Sequence, residues 1–104
     1  MNMAVYLYRW KIRPGHERRF EENWTIVTEA MRDQCGSYGS RLHLAENGEY
    51  VAYAQWPDLQ SRLRCELDPV ASRARQNMRD AIEHSYPEQP MAARADFLIP
   101  AGAL

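Results

Sequence analysis

Cysteine is scarce in this chain. There are two in 104 residues, Cys35 and Cys65, thirty positions apart. That spacing matches no metal-site motif, and two reduced thiols are the expectation, with a disulfide as the alternative. Charge of one sign is also missing. Thirteen Lys and Arg stand against fourteen Asp and Glu, a net charge of −1, so no basic stripe points to nucleic acid. No apolar run approaches the ~18 residues of a membrane span. The chain does not begin with a charged stretch followed by an apolar one, so no secretory signal is expected and the cytoplasm is the expected compartment. There are no repeats, low-complexity tracts or linkers. One domain over 1–104 is expected, with its core at about 3–99 and a tail at 100–104. No Ser-His-Asp or Cys-His arrangement, phosphate loop or carboxylate pair at a shared spacing is present, and no metal or cofactor site is expected.

What the chain has is aromatic side chains, three Trp, six Tyr and two Phe, and one strong local signal. Residues 39–56 read Gly-Ser-Arg-Leu-His-Leu-Ala-Glu, then Asn47-Gly48, then Glu-Tyr-Val-Ala-Tyr-Ala-Gln-Trp. Asn-Gly between two runs of strand formers predicts a hairpin with a two-residue turn. That turn sets Leu44 opposite Val51 and Leu42 opposite Tyr53. One face then carries Leu42, Leu44, Val51, Tyr53 and Gln55; the other carries Arg41, His43, Ala45, Tyr50, Ala52, Ala54 and Trp56.

The rest of the chain builds around this hairpin. Residues 3–12 are β-branched and aromatic, a strand ended by Pro14-Gly15. Phe20, Trp24, Val27 and Met31 recur at helical spacing over 16–34, and Gly36 is placed to end that helix. Residues 59–66 read as a short helix. Asp68 and Pro69 open a second long one, with Val70, Ala74, Met78, Ala81, Ile82 and Tyr86 on its buried side. Arg73, Arg75, Arg79, Asp80 and Glu83 face out or rim a cleft. Residues 91–99 read as a last strand. The order β-α-β-β-α-β predicts an α+β, ferredoxin-like domain: a four-stranded antiparallel sheet with its helices on one face. Both sheet faces are apolar, yet two helices cover only one. A second copy, packed on the face carrying Val5, Leu7, Leu42, Leu44, Val51 and Tyr53, is the expected solution.

A strand ending in Arg13-Pro14-Gly15, a helix with Phe20 and Trp24, a Gly-rich link at 36–39 and a strand closing on Tyr53-Ala-Gln-Trp56-Pro57 together resemble the antibiotic biosynthesis monooxygenase superfamily over about residues 4–99. The resemblance implies a dimeric α+β barrel with a pocket in each subunit between sheet and helices. It further implies kinship with cofactor-free monooxygenases of anthrone- and quinol-type aromatics and with haem-degrading enzymes. Trp56 matches the tryptophan that lines the pocket in both branches. The haem branch's first-strand asparagine falls near Tyr8, and its helix histidine has no match, His84 coming too late. The anthrone branch's asparagine, four residues before the tryptophan, is Ala52. Haem is therefore not expected as substrate or cofactor.

On this reading Trp56, Tyr8, Trp10 and Tyr50 are the candidate substrate-binding residues. His43 is the candidate general base and Arg41 the holder of an anionic oxygen. Each has a plainer reading: a hydrogen-bonded strand histidine, a surface ion pair, or aromatic core. Alternation alone does not say which face meets the helices. Two functional classes follow. One is a cofactor-independent monooxygenase acting on a small phenolic or quinol-type compound. The other is a non-catalytic small-molecule-binding or structural dimer of the same fold.

Overall fold

The computed structural model describes residues 3–99; the expected tail at 100–104 lies outside them. The elements run β1 (Ala4–Ile12), α1 (Glu17–Cys35), β2 (Gly39–Leu44), β3 (Tyr50–Trp56), α2 (Leu59–Leu63), α3 (Pro69–Asp80), β4 (Ile82–Ser85) and β5 (Gln89–Ala92). This is the α+β, ferredoxin-like arrangement read from the sequence, with one antiparallel sheet ordered β2-β3-β1-β4 and β5 also paired to β1.

Central strand β1 alternates along its length. Tyr6, Tyr8, Trp10 and Ile12 point to one face and Val5, Leu7 and Arg9 to the other. Across from the first set stand Ala54, Ala52 and Tyr50 of β3. Small residues on β3 leave room for large ones on β1. Against this face pack the α1 stripe predicted from spacing, with Phe20, Val27 and Ala30 buried, and the α3 residues Ala71 and Ala74. Phe20 is fully enclosed, its ring 5.3 Å from Trp10 and 5.1 Å from Tyr50. α1 ends as the sequence predicts. Gly36 adopts a left-handed backbone at φ 76°, and its N–H and that of Ser37 reach the Met31 carbonyl.

The hairpin departs from its predicted register by one residue. Its turn has three residues, Glu46-Asn47-Gly48, closed by Ala45 N–H to the Glu49 carbonyl at 2.9 Å and Gly48 N–H to the Ala45 carbonyl at 2.9 Å. Only Gly48 takes positive φ, at 87°. Asn47 serves the turn with its side chain instead, Oδ1 accepting from the Glu49 N–H at 3.0 Å. Leu44 therefore pairs with Tyr50, Leu42 with Ala52, His43 with Val51 and Arg41 with Tyr53. A one-residue slip exchanges the faces of a whole strand. Leu42 and Leu44 join the helix side, and Arg41 and His43 join the uncovered side.

The end of the chain is the second departure. The predicted helix through Tyr86 stops at Asp80, with no glycine or proline to stop it. Tertiary pairing does so: the Ala81 carbonyl accepts from Arg13 N–H at 2.9 Å, and Ile82 pairs with Ile12. β4 runs beside Trp10–Ile12 and β5 beside Ala4–Leu7, so two short strands share the edge expected for one. Residues 86–88 separate them. The strand predicted over 91–99 is instead β5 at Gln89–Ala92 followed by irregular chain.

Tyr50 lies in the core rather than in a cavity wall, 3% exposed, with its hydroxyl donating to the Glu21 carboxylate. Burial, reinforced by that bond, pushes its phenol up to about 12. The folded state thus holds this proton more tightly than the unfolded chain, whose phenol titrates near ~10. Its contribution is complete below pH ~10 and is lost as pH rises toward 12. Stability should fall over that window in urea titrations, and Tyr50→Phe should flatten the fall. An equal alkaline loss in Tyr50→Phe would contradict the assignment.

Candidate active site

Between the sheet and the helices lies a cavity of about 880 Å³, within the range of small-molecule sites. Tyr8, Trp10, Ala54 and Trp56 form its floor. Trp24, Val27 and Met31 of α1 wall one side and Arg75, Met78 and Arg79 of α3 another. The segment around α2 contributes Arg62, Leu63 and Cys65, and the β4–β5 edge contributes Ile82, Glu83, Tyr86 and Glu88.

The floor is flat and aromatic. Tyr8 and Trp10 stack nearly parallel, interplanar angle 2°, with centroids 5.6 Å apart. Trp56 closes the floor at 2% exposure. Over one end sits Arg62. Its guanidinium lies 3.9 Å above the Tyr6 ring and donates to the Tyr8 hydroxyl at 3.2 Å and to Glu88 at 2.5 Å. Burial raises the Tyr8 phenol above its ordinary value, and Arg62 opposes that rise, so Tyr8 is neutral near pH 7 and offers a hydroxyl rather than a charge.

Arg75 and Arg79 differ from Arg62. Among the described residues neither takes part in an ion pair or a side-chain hydrogen bond. Half-buried Arg75 has its pKa lowered, chiefly by burial and then by the neighbouring Arg79 charge. Two cations without partners on one cavity wall favour an anion between them. Both are among the positions expected to face out or rim a cleft, and Arg75, Met78 and Arg79 stand at i, i+3 and i+4 of α3, on one stripe. Arg62 and Glu88 had no such signal, because their meeting is tertiary.

Of the residues singled out in the sequence, the structure brings Trp56, Tyr8 and Trp10 to the cavity. It does not bring Tyr50, Arg41 or His43 there. Arg41 and His43 lie exposed on the opposite sheet face, His43 stacked near Tyr53 with centroids 6.2 Å apart. The register slip is the reason, and it removes both from the roles of base and oxyanion holder in this cavity. The cysteines also depart from expectation. Cys35, the last residue of α1, and Cys65, just past α2, form a disulfide with 5.2 Å between Cα atoms. Among the described residues no group of three His, Cys, Asp or Glu side chains is arranged to hold a metal ion, and no helix is long and apolar enough to cross a membrane.

The ferredoxin-like sheet with two long helices on one face recurs in known proteins. Residues 3–64 match the sequence profile of the antibiotic biosynthesis monooxygenases, and the chain belongs to that family. No curated protein matches it in sequence. Among solved structures it is similar to SnoaB, a cofactor-independent oxygenase from Streptomyces nogalater, at TM-score 0.75 and 19% identity over 93% of this chain and 98% of that one. It is also similar to Rv0793 from Mycobacterium tuberculosis, at TM-score 0.74 and 12% identity over 92% and 99%. A conserved protein from Methanosarcina mazei Go1 superposes at TM-score 0.73 and 9% identity over 88% and 92%. At these identities the likeness establishes the shared fold.

Proposed function

We propose that the chain is a cofactor-independent monooxygenase acting on a small phenolic or quinol-type aromatic held in the helix-side cavity. The observation that carries this reading is the pairing of a flat aromatic floor with two unpartnered arginines on the α3 wall. Trp56, Tyr8 and Trp10 stack against the ligand ring, contributing roughly 0.5–1.5 kcal/mol per aromatic pair beyond burial. Arg75 and Arg79 favour the ligand's ionised oxygen, which lowers its pKa and makes the ring electron-rich enough to react with dioxygen directly. Glu83 and Glu88 are the carboxylates on the same lining; each is paired with a cation, Glu83 with Lys11 at 3.0 Å and Glu88 with Arg62 at 2.5 Å, so taking the proton requires one of them to give up that partner. For an anthrone, one oxygen atom of O₂ becomes the new ring carbonyl. The other leaves as water with the two hydrogens of the oxidised carbon. The likeness to SnoaB, a cofactor-independent oxygenase, supports the reading. Oxygen-electrode assays with anthrone- and hydroquinone-type compounds test it. Saturable oxygen uptake with matching product is the expected result; no uptake and no quenching of tryptophan emission by any aromatic would favour the non-catalytic dimer instead.

The second part of the reading is a homodimer. The sheet face away from the helices carries Val5, Leu7, Val51 and Tyr53 with Gln55, Arg41 and His43; among the described residues no helix covers it, and the chain at 91–98 borders its Val5, Tyr53 and Gln55 corner, where Val5 is buried. Leu42 and Leu44, expected on that face, are not part of it. Its apolar centre supports an obligate interface of roughly 2,000 Å² or more. Leu7→Glu should yield monomer or unfolded chain by light scattering at micromolar concentration, whereas Leu44→Glu, at an exposed edge, should leave the dimer intact. A monomeric wild-type protein would remove the dimer from the account.

A further inference from the structure

The Cys35–Cys65 bridge has no part in the chemistry above, and its position is particular. It does not join two core elements. It ties the end of α1 to the segment 57–68, whose helix α2 contains no buried residue. That segment nevertheless forms one wall of the cavity, through Arg62, Leu63 and Cys65 itself. Its other ties are few: Arg62 stacks over the Tyr6 ring, and the rest are polar. Arg62 reaches Tyr8 and Glu88, and Gln34 and Asp68 exchange two hydrogen bonds of 2.8 and 3.0 Å at the surface. A stretch with no buried side chain and few ties opens locally at low cost. Both cysteines are only half-buried, so a small thiol can reach the bridge.

We propose that this disulfide is a redox latch on the cavity mouth. A dithiol reductant attacks one sulfur and forms a mixed disulfide. Its second thiol then displaces the protein, leaving Cys35 and Cys65 as two thiols and the reductant as a disulfide. Two electrons and two protons pass to the protein. With the covalent tie gone, the 57–68 wall swings on its remaining contacts, and ligand enters and leaves faster. The ligand half of this inference rests on the cavity reading above; the opening of the segment does not.

The test is hydrogen exchange on the full chain, oxidised and after dithiothreitol, with free thiols counted, beside stopped-flow release of β-naphthol followed by tryptophan emission. Amides of 59–66 should exchange at least about tenfold faster on reduction while β1 and β3 stay protected, and release should accelerate. Cys35→Ser/Cys65→Ser should behave as the reduced protein with or without reductant, and reoxidation of the wild type should restore slow exchange. Unchanged exchange in 59–66 with two thiols exposed would overturn the latch. So would loss of protection across the whole sheet, which marks a structural staple. Faster segment exchange with normal binding and unchanged release would overturn its role in access. Faster exchange with no naphthol binding in either state would support the opening and overturn the cavity reading alone.

Discussion

Replacing Arg75 and Arg79 together by alanine should weaken binding of a phenolate-bearing aromatic about 10- to 100-fold. A hydrogen bond to a charged group contributes ~1.5–3 kcal/mol, and each 1.4 kcal/mol is tenfold in affinity. The two arginines line the cavity with Met78 and the aromatic floor, and neither is in an ion pair among the described residues. Removing them leaves the stacking surface in place, so the methyl ether of the same aromatic should bind the variant and the wild type equally. That contrast separates loss of the anion's partners from collapse of the cavity. The change should also leave the fold intact, because cations that pair with nothing contribute little to stability and repel each other. Tryptophan-quenching titrations at a pH where the phenol is partly ionised give both affinities. Equal weakening of ether and phenolate would mean that the arginines act through packing.

Phe20→Ala should be the most destabilising single substitution in the molecule, by ~3–5 kcal/mol. Phe20 has no exposed surface and sits between Trp10 and Tyr50, with Ala52 and Ala81 in the same cluster. None of these neighbours can collapse into the space, being either held by strand pairing or too short. The loss is a large share of the ~5–15 kcal/mol that holds a domain of this kind. The variant should still fold, with its urea midpoint lowered in proportion to that loss. A loss below about 1 kcal/mol, the range of a surface change, would show that the α1–sheet contact is not the centre of the core.

Element order was readable in the sequence because each long element has its own period and its own punctuation. The α1 stripe of Phe20, Val27 and Ala30 and the left-handed Gly36 follow from helix spacing and glycine chemistry alone, and both stand in the structure. Asp68 caps α3 through the Ala71 N–H at 2.8 Å, with Pro69 in its first turn, as the residue types dictate. The hairpin register was not readable to the last residue. Asn-Gly serves two turns, one with asparagine's backbone left-handed and one with its side chain closing the turn, and the dipeptide is the same in both. That single ambiguity decided the faces of Arg41 and His43 and with them half of the expected site. Tyr8, Trp10 and Trp56 reach the cavity because they lie on β1 and β3, whose pairing does not depend on the turn, whereas Tyr50, on the same face, is enclosed in the core. The cationic half comes from α3 and α2, and the disulfide joins the end of α1 to the chain after α2. Where those segments sit is set by packing on the sheet, so their side chains meet only in three dimensions.

The two faces of the sheet can be set against each other in one experiment. Oxygen uptake with an anthrone is measured for the wild type, for Arg75→Ala/Arg79→Ala and for Arg41→Ala/His43→Ala under identical conditions. The helix-side cavity predicts that the first double variant loses at least about tenfold in kcat/KM, the value of one charged contact, while the second keeps wild-type turnover in any preparation that remains folded and dimeric. Loss of turnover in the Arg41/His43 variant with full activity in the Arg75/Arg79 variant would place the chemistry on the opposite face and contradict this account.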